Sequence, residues 1–180
     1  DVNVGQNVVI ADDVEIGDGT VIEHNVVIHS GTKIGNNCIV RSGAVIGGQG
    51  YGFGLDESGE FIRQPFLGGV LLGQSVEVGY NSVIAAGAIE PTKLEEGVKL
   101  DNQVHIAHDC EIGKYSTVTA GVSFCGYVKV GSNVRLAPNS SVKQRLTIGS
   151  NSVIGLCAVV TKHVEDNVVV AGNPAKVLRI

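Results

Sequence analysis

The sequence contains no methionine and no tryptophan, and aromatic residues make up only 4% of its 180 positions. A core built from this chain must therefore be aliphatic. Valine and isoleucine dominate the apolar residues, and β-branched residues of this kind favour strands. Basic residues are also few, 13 against 18 acidic ones, which gives a formal net charge of −5. This balance does not indicate a nucleic-acid-binding surface, which would be basic and clustered.

Long apolar runs and paired cysteines are missing as well. No apolar run approaches the roughly 20 residues that a membrane-spanning helix needs. No signal peptide is visible. Four cysteines stand far apart, without a C-x-x-C pair: Cys38, Cys110, Cys125 and Cys157. This cysteine usage is typical of reduced thiols, and we predict a cytoplasmic protein.

Apolar residues, in contrast, recur at every sixth position. From Val4 each sixth residue up to Ile46 is Val or Ile, and the step later runs without a miss from Leu94 to Val160. A period of six fits neither a helix, with a period of 3.6, nor an alternating strand, with a period of 2.0. It indicates short strands separated by turns, and the 25 glycines suit many tight turns.

Three six-residue units close a triangular coil of about 18 residues, and stacked coils bury continuous apolar columns. The pattern resembles the hexapeptide repeat of left-handed β-helices. The hand comes from this resemblance, since the general rule for parallel crossovers favours the right hand. We predict an all-β chain: a left-handed parallel β-helix (hexapeptide-repeat solenoid) over residues 1–163, with an inserted loop at about 48–66 and a short C-terminal cap over 164–180.

The predicted loop concentrates aromatic residues in a chain that has few of them. It contains Tyr51, Phe53, Phe61 and Phe66, and Asp56-Glu57-Ser58-Gly59 suits a hairpin turn. Long loops in compact repeats are usually functional or mobile. One interpretation is the lip of a substrate site, with Tyr51 and Phe53 as substrate-binding residues; the other is a surface excursion. The six-residue step is interrupted a second time, over a short stretch near Glu90, which indicates one distorted corner of the coil.

The most polar part of the repeat region is DNQVHIAHDCEIG, at 101–113. Ile106 is an interior position, so His105 faces outward and His108 lies at the next corner. A histidine close to a carboxylate can act as a general base. Asp101 is the candidate that orients the His108 ring or stabilises its cation. Three neighbours are candidate substrate-binding residues: Asn102, Gln103 and His105.

This stretch, together with Gly52-Phe53-Gly54 and Leu67-Gly68-Gly69-Val70, resembles the UDP-3-O-acyl-glucosamine N-acyltransferase family (LpxD) of lipid A biosynthesis, over roughly residues 50–160. The resemblance implies acyl transfer from a thioester to an amine, with His108 as general base and the Gly126 N–H as oxyanion donor. Gly126 follows His108 by 18 positions, so the two should lie one above the other.

The resemblance also implies the partners. They are a nucleotide-linked amino sugar and an acyl donor, either acyl carrier protein (acyl-ACP) or acyl-CoA, and no permanently bound cofactor or metal. A single prism offers only shallow grooves, whereas ligand sites are concave. We therefore predict a homotrimer, as in that family, with His108 facing a cleft between subunits.

Two positions depart from the family pattern. Arg145 stands where the family has a second histidine, and Ala85-Ala86 stands where the family has Asp-Arg. Arginine keeps its proton, so Arg145 is predicted to bind an anion of the substrate rather than to move a proton. The tail at 172–176 resembles acetyltransferases that use acetyl-CoA.

Three alternatives remain beside the lipid A assignment. One is an acetyl-CoA-dependent sugar acetyltransferase of another pathway, for example of surface polysaccharide. A second is a non-catalytic β-helix scaffold, since fold alone does not prove function. The third, a zinc-dependent γ-type carbonic anhydrase, needs three histidine ligands. It is disfavoured because no third histidine lies one coil above His105 or His108, at 123 or 126.

Overall fold

The computed structural model describes residues 1–179, and these form the left-handed parallel β-helix that the repeat predicted. Its coil has three flat faces, here called A, B and C. Face A contains β1 (Asn3–Val4), β4 (Val21–Ile22), β7 (Ile39–Val40), β12 (Glu77–Val78), β15 (Lys99–Leu100), β18 (Thr117–Val118), β21 (Arg135–Leu136), β24 (Val153–Ile154), β26 (Val169–Ala171) and β27 (Lys176–Arg179).

Face B contains β2 (Val9–Ile10), β5 (Val27–Ile28), β8 (Val45–Gly48), β13 (Val83–Ala85), β16 (His105–Ile106), β19 (Ser123–Phe124), β22 (Ser141–Val142) and β25 (Val159–Val160). Face C contains β3 (Glu15–Ile16), β6 (Thr32–Ile34), β11 (Val70–Leu72), β14 (Thr92–Leu94), β17 (Glu111–Ile112), β20 (Lys129–Val130) and β23 (Thr147–Ile148). A separate hairpin consists of β9 (Phe53–Leu55) and β10 (Phe61–Arg63).

The coils stack in register, so each residue lies above the one that precedes it by one coil. In the regular part of the chain this distance is 18 positions, as in the pair His105 and Ser123. Beyond the first coil, the second residue of each two-residue strand points inward and is buried, for example Ile28 and Ile106. Phe124 occupies one such interior position and is also fully buried. The apolar residues that recur at every sixth position therefore form the core of the protein.

Four-residue turns form the edges of the prism, and each edge is named here after the faces it joins. Residues 101–104 belong to edge AB, 107–110 to edge BC and 113–116 to edge CA. The third residue of the turn commonly has a positive φ, a conformation that asparagine tolerates better than other non-glycine residues. Asparagine holds it at Asn7, Asn25, Asn37, Asn81, Asn133, Asn139, Asn151 and Asn167.

The two irregularities noticed in the sequence both lie on edge BC. Residues 49–69 connect β8 to β11 and contain the antiparallel hairpin, whose turn is closed by hydrogen bonds from Ser58 and Glu60 to the Asp56 carboxylate. Residues 86–91 connect β13 to β14. The two segments pair with each other, because Leu67 N donates to Ala88 O and Gly68 N donates to Gly87 O, both at 2.9 Å. The predicted loop and distorted corner are thus one local structure.

The two ends of the solenoid differ. In the first coil the interior positions are open, with Val4 and Ile10 exposed by 47% and 42%. At the other end β26 still pairs with β24 in parallel, and only β27 turns back antiparallel. The boundary predicted between 163 and 164 therefore falls inside the last coil, because 164–171 keeps the coil's hydrogen bonds; Ile180 lies outside the described residues. Within residues 1–179 no helix has the length and apolarity to cross a membrane.

Candidate active site

His108 lies on edge BC directly below Gly126. A Cβ built on Gly126 would stand 2.6 Å from Cε1 and 2.8 Å from Nε2 of the His108 ring. Tyr127 N donates to His108 O at 3.0 Å, which fixes the two turns on each other. The φ of Gly126 is outside the left-handed region, so glycine is needed here for space and not for backbone conformation. The predicted stacking of His108 and Gly126 is confirmed.

The carboxylate that contacts His108 belongs to Asp109. The distance between His108 Nδ1 and Asp109 Oδ2 is 2.8 Å, and the two side chains are only 20% and 12% exposed. An ionised carboxylate can only accept, so the ring proton is on Nδ1 and Nε2 is left as the basic nitrogen. A neutral histidine in this tautomer is prepared to take a proton from a substrate.

The backbone of Ala88, in the 86–91 segment, and the side chain of Thr92, at the start of β14, hold Asp109 in place. Ala88 N donates to both carboxylate oxygens of Asp109 at 3.1 Å. Asp109 N donates to Thr92 Oγ1 at 2.9 Å. The distorted corner therefore supplies the support of the histidine–carboxylate pair.

Two aromatic rings enclose the imidazole. The rings of Phe66 and Tyr127 lie 5.1 Å and 5.2 Å from the His108 ring, both edge-to-face. Phe66 is buried and is fixed by the side chain of Gln49, whose amide binds Phe66 N at 3.0 Å and Phe66 O at 3.4 Å. The long loop thus contributes directly to the site and does not merely pass over the surface.

The backbone N–H groups of His108 and Gly126 are available to a ligand. On edge CA the second residue of a turn is commonly capped by a side chain one coil further on: Asp18 N donates to Asn36 Oδ1 at 2.9 Å and Ser132 N to Ser150 Oγ at 3.2 Å. His108 and Gly126 hold the same turn position. Within residues 1–179 neither of their N–H groups donates to another group of the protein. An open N–H beside a base is the arrangement that an oxyanion requires.

Two depressions meet at His108. One, of about 560 Å³, lies under the loop and is lined largely by aromatic residues: Tyr51, Phe53, Phe61, Phe66 and Tyr127. The other, of about 880 Å³, follows face B from Val45 to Gln144 and includes His105, Gly126 and Arg145. His108 and Tyr127 line both. A reaction at Nε2 can therefore draw one reactant from each side.

Of the substrate-binding residues predicted from the sequence, Tyr51, Phe53, His105 and Arg145 line these depressions. Desolvation by the surrounding protein lowers the pKa of the His105 imidazole, which favours its neutral form. The guanidinium of Arg145 lies 4.6 Å above the centre of the Tyr127 ring. Arg145 and Tyr127 both have positive φ, 61° and 62°, which costs a side chain of this kind about 1 kcal/mol or more.

Three other predicted residues lie elsewhere, on edge AB. The Asp101 carboxylate accepts from Asn102 N at 2.8 Å and from Ala120 N at 3.1 Å, and Asn102 Oδ1 accepts from Tyr80 N at 2.9 Å. Gln103 holds the positive-φ position of the same turn. The interpretation that Asp101 orients His108 is corrected here: Asp109 does so, because the turns at Asp101 and His108 project from different edges of the coil. Substrate binding by Asn102 and Gln103 stays a prediction.

The sequence interpretation missed Asp109, Phe66 and Tyr127. Asp109 follows His108 directly, and this adjacency was the available signal. The two alanines that depart from the family pattern, Ala85 and Ala86, are buried beside the site. Cys110 is buried as well, and burial raises the pKa of its thiol to about 12, so it is not a nucleophile. Within residues 1–179 no three His, Cys, Asp or Glu side chains are grouped to hold a metal ion.

Comparison with known proteins gives a consistent family. Residues 13–48 and 91–126 match the bacterial transferase hexapeptide (six repeats), and 145–174 match the hexapeptide repeat of succinyl-transferase. A UDP-3-O-acylglucosamine N-acyltransferase from Delftia acidovorans is 32% identical to this chain over 70% of its length. One from Janthinobacterium sp. is 36% identical over 67% of its length. The chain covers only 37% and 34% of those two relatives' length.

Among solved structures, LpxA from Acinetobacter baumannii superposes with a TM-score of 0.90 at 28% identity, and the match covers 99% of this chain and 67% of that one. The sequence is thus similar to N-acyltransferases, whereas the three-dimensional structure is similar to that of LpxA. Both comparisons support a hexapeptide acyltransferase fold, and they leave the acceptor atom of the substrate open.

Proposed function

This chain belongs to the hexapeptide-repeat acyltransferase family, and we propose that it moves an acyl group from a thioester to the amine of a nucleotide-linked amino sugar. The thioester is acyl-ACP or acyl-CoA. The observation that supports this function best is the grouping on edge BC. There the 2.8 Å His108–Asp109 pair lies against Gly126, whose N–H is free among the described residues.

In the proposed reaction the sugar amine attacks the carbonyl carbon of the thioester. His108 Nε2 takes the proton that the nitrogen loses as the C–N bond forms. The carbonyl oxygen becomes an oxyanion, and the Gly126 N–H donates to it. When the C–S bond breaks, the thiolate receives the proton from His108 Nε2, and the amide and a free thiol leave the site. Asp109 stabilises the imidazolium between these two steps.

The acceptor atom is the finer part of the proposal. The sequence relatives are named as N-acyltransferases, which favours an amine, and the structural relative is named LpxA. A hydroxyl acceptor would use the same base and the same oxyanion donor, so O-acyl transfer is the second candidate. A homotrimer is proposed with either acceptor, because the two depressions at His108 are open on the single chain and a neighbouring prism would close them.

The first test is an assay of acetyl-CoA and, separately, of 3-hydroxyacyl-ACP with UDP-linked amino sugars and with UDP-N-acetylglucosamine. His108→Ala should abolish turnover and leave the fold and the trimer intact. His24→Asn is the matched control, since His24 Nδ1 accepts from Gln6 N on edge AB and an asparagine oxygen does the same between Asp18 and Asn36.

Turnover that needs the amine and is lost in His108→Ala supports the proposal. Turnover only with the hydroxyl acceptor would replace it by O-acyl transfer. Retained activity in His108→Ala would contradict the role of the base, and a monomer in light scattering at micromolar concentration would contradict the trimer.

A further inference from the structure

Arg145 is an exposed cation beside the site. Its guanidinium stacks on Tyr127, which in turn contacts the ring of His108. Within the described residues the Arg145 side chain makes no ion pair and no hydrogen bond. One face of the guanidinium is covered by Tyr127, so its N–H groups remain available at the rim of the depression that contains Gly126.

Two further cations lie on the same edge next to Arg145. Lys143 begins the turn that contains Arg145, and Lys162 belongs to the turn one coil above. Both side chains are exposed, and neither forms an ion pair within residues 1–179. We call these three residues the cationic strip. Arg145 borders the depression that contains Gly126, whereas Lys162 lines a separate depression that also contains Glu165. Arg145 is therefore the cation of the strip that faces the site.

The chemistry of the strip points to phosphate. Arginine stays protonated at neutral pH and binds the oxygens of phosphate through its planar fork of donors. A carboxylate carries one negative charge, whereas the diphosphate of a nucleotide carries at least two, so the diphosphate suits a row of exposed cations better. Both reactants of the proposed acyl transfer carry phosphate, the pantetheine-linked donor and the nucleotide sugar.

We infer that the cationic strip is the phosphate-binding subsite of this protein and that Arg145 is its specificity-determining residue. The two candidate sources of the phosphate come from the proposed function, on which this inference rests. The location of the site comes from the contacts of Arg145. Arg145 acts on binding only: it holds the phosphate, Tyr127 holds the guanidinium, and His108 is left free for the proton.

The test is a calorimetric titration of the full chain with coenzyme A and, separately, with UDP. Arg145→Asn is the suitable variant, because asparagine already occupies the same positive-φ turn position in eight other turns, from Asn7 to Asn167. Arg135→Gln is the matched control. Arg135 is another exposed arginine without an ion pair among the described residues, and it lies on face A, away from the strip.

Arg145→Asn should weaken binding of one of the two ligands by about ten- to a hundredfold, the loss expected for one hydrogen-bonded charge. Arg145→Lys should fall between this variant and the wild type. The ligand that loses affinity identifies the source of the phosphate. Arg135→Gln should bind both ligands like the wild type.

The inference is overturned if Arg145→Asn binds both ligands as the wild type does, if Arg135→Gln is weakened equally, or if the wild type binds neither ligand at millimolar concentration. Because binding is measured without turnover, a failure of the acyl-transfer proposal is seen separately: the assay would be negative while Arg145→Asn still lost affinity.

Discussion

Edges BC and CA of the prism are built from the same six-residue repeat, but they have different structures. On edge CA side chains join neighbouring coils: Thr20 Oγ1 donates to Gly35 O at 2.9 Å and Ser116 Oγ donates to Gly131 O at 2.9 Å. Side chains of the next coil also cap the N–H groups of Asp18, Ser132 and Ser150. On edge BC two insertions interrupt the repeat, and the N–H groups of His108 and Gly126 have no protein acceptor among the described residues.

This difference shows how a regular solenoid acquires a reactive site. Glycine occurs on both edges with opposite consequences. At Gly113 a Cβ would stand 2.6 Å from the backbone of the next coil, whereas at Gly126 it would meet the His108 ring. Gly113 therefore allows close packing of the backbone, and Gly126 makes room for a side chain. The same substitution on the two edges should change different properties.

The largest expected effect follows from Asp109→Asn. The oxygen of the new side-chain amide would keep the hydrogen bond from Ala88 N, and its NH₂ group would face His108 Nδ1. The ring proton would then move to Nε2, and the base would be lost. We expect a fall in kcat of roughly 10²–10⁴ with little change in melting temperature. Steady-state kinetics and a thermal melt check this.

The control for that change lies on edge CA. Asp166 Oδ1 accepts from Ser150 N, and an asparagine oxygen can do the same, so Asp166→Asn should leave kcat unchanged. Equal losses of rate in both variants would show that the two edges do not differ as described.

Gly126→Ala should have the next largest effect. The new methyl group would displace the His108 ring and cover the free N–H, so kcat should fall by roughly 10²–10³. Unfolding should change less, because a side chain can move where a backbone cannot. If this variant had the kinetics of the wild type, Gly126 would have no role in the active site.

Gly113→Ala should show the opposite pattern. Its Cβ meets the backbone of Gly131, which the stacked coils hold in place. We expect a loss of about 1–3 kcal/mol in the free energy of unfolding, as for overpacked cores, and unchanged kcat per folded molecule. Urea denaturation measures it, and a variant as stable as the wild type would mean that edge CA is not tightly packed.

The smallest effect is expected on edge AB, where Arg41 binds Glu23 at 2.9 Å and Glu77 at 2.6 Å. The hydrogen bond from Arg41 lowers the pKa of the Glu23 carboxyl below 4.5 in the folded protein. A depressed pKa contributes stability above the unfolded value, and this contribution is lost as the pH falls through the folded value. Glu23→Gln should therefore cost about 1 kcal/mol at pH 7 and less at lower pH.

The control for this pair is Glu15→Gln. Glu15 pairs with Lys33 on face C, with both side chains more than half exposed, so its removal should change stability very little at any pH. Denaturation curves between pH 7 and pH 3 separate the two. A pH-independent loss in Glu23→Gln would exclude the charge as its cause.

The step of six was sufficient to predict the coils, the interior columns and the loop, because each of these depends on local pattern and on burial. It also predicted that His108 and Gly126 stack, since their separation equals one coil. It could not assign Asp101 correctly, because two residues seven positions apart lie on different edges of a triangular coil. Nor could it show that Phe66 packs on His108, since the loop has no repeat to follow.

The sequence by itself thus determined the fold, the two stacked residues of the site and the position of the insertion. A six-residue period buries its apolar residues when short strands stack as a coil, and the left hand of that coil came from the resemblance to the hexapeptide repeat. The tertiary structure alone decided which carboxylate orients the histidine, which aromatic rings enclose it and which N–H groups stay free. These depend on how two irregular segments, 49–69 and 86–91, pack against edge BC, and contacts between irregular segments leave no period in the sequence.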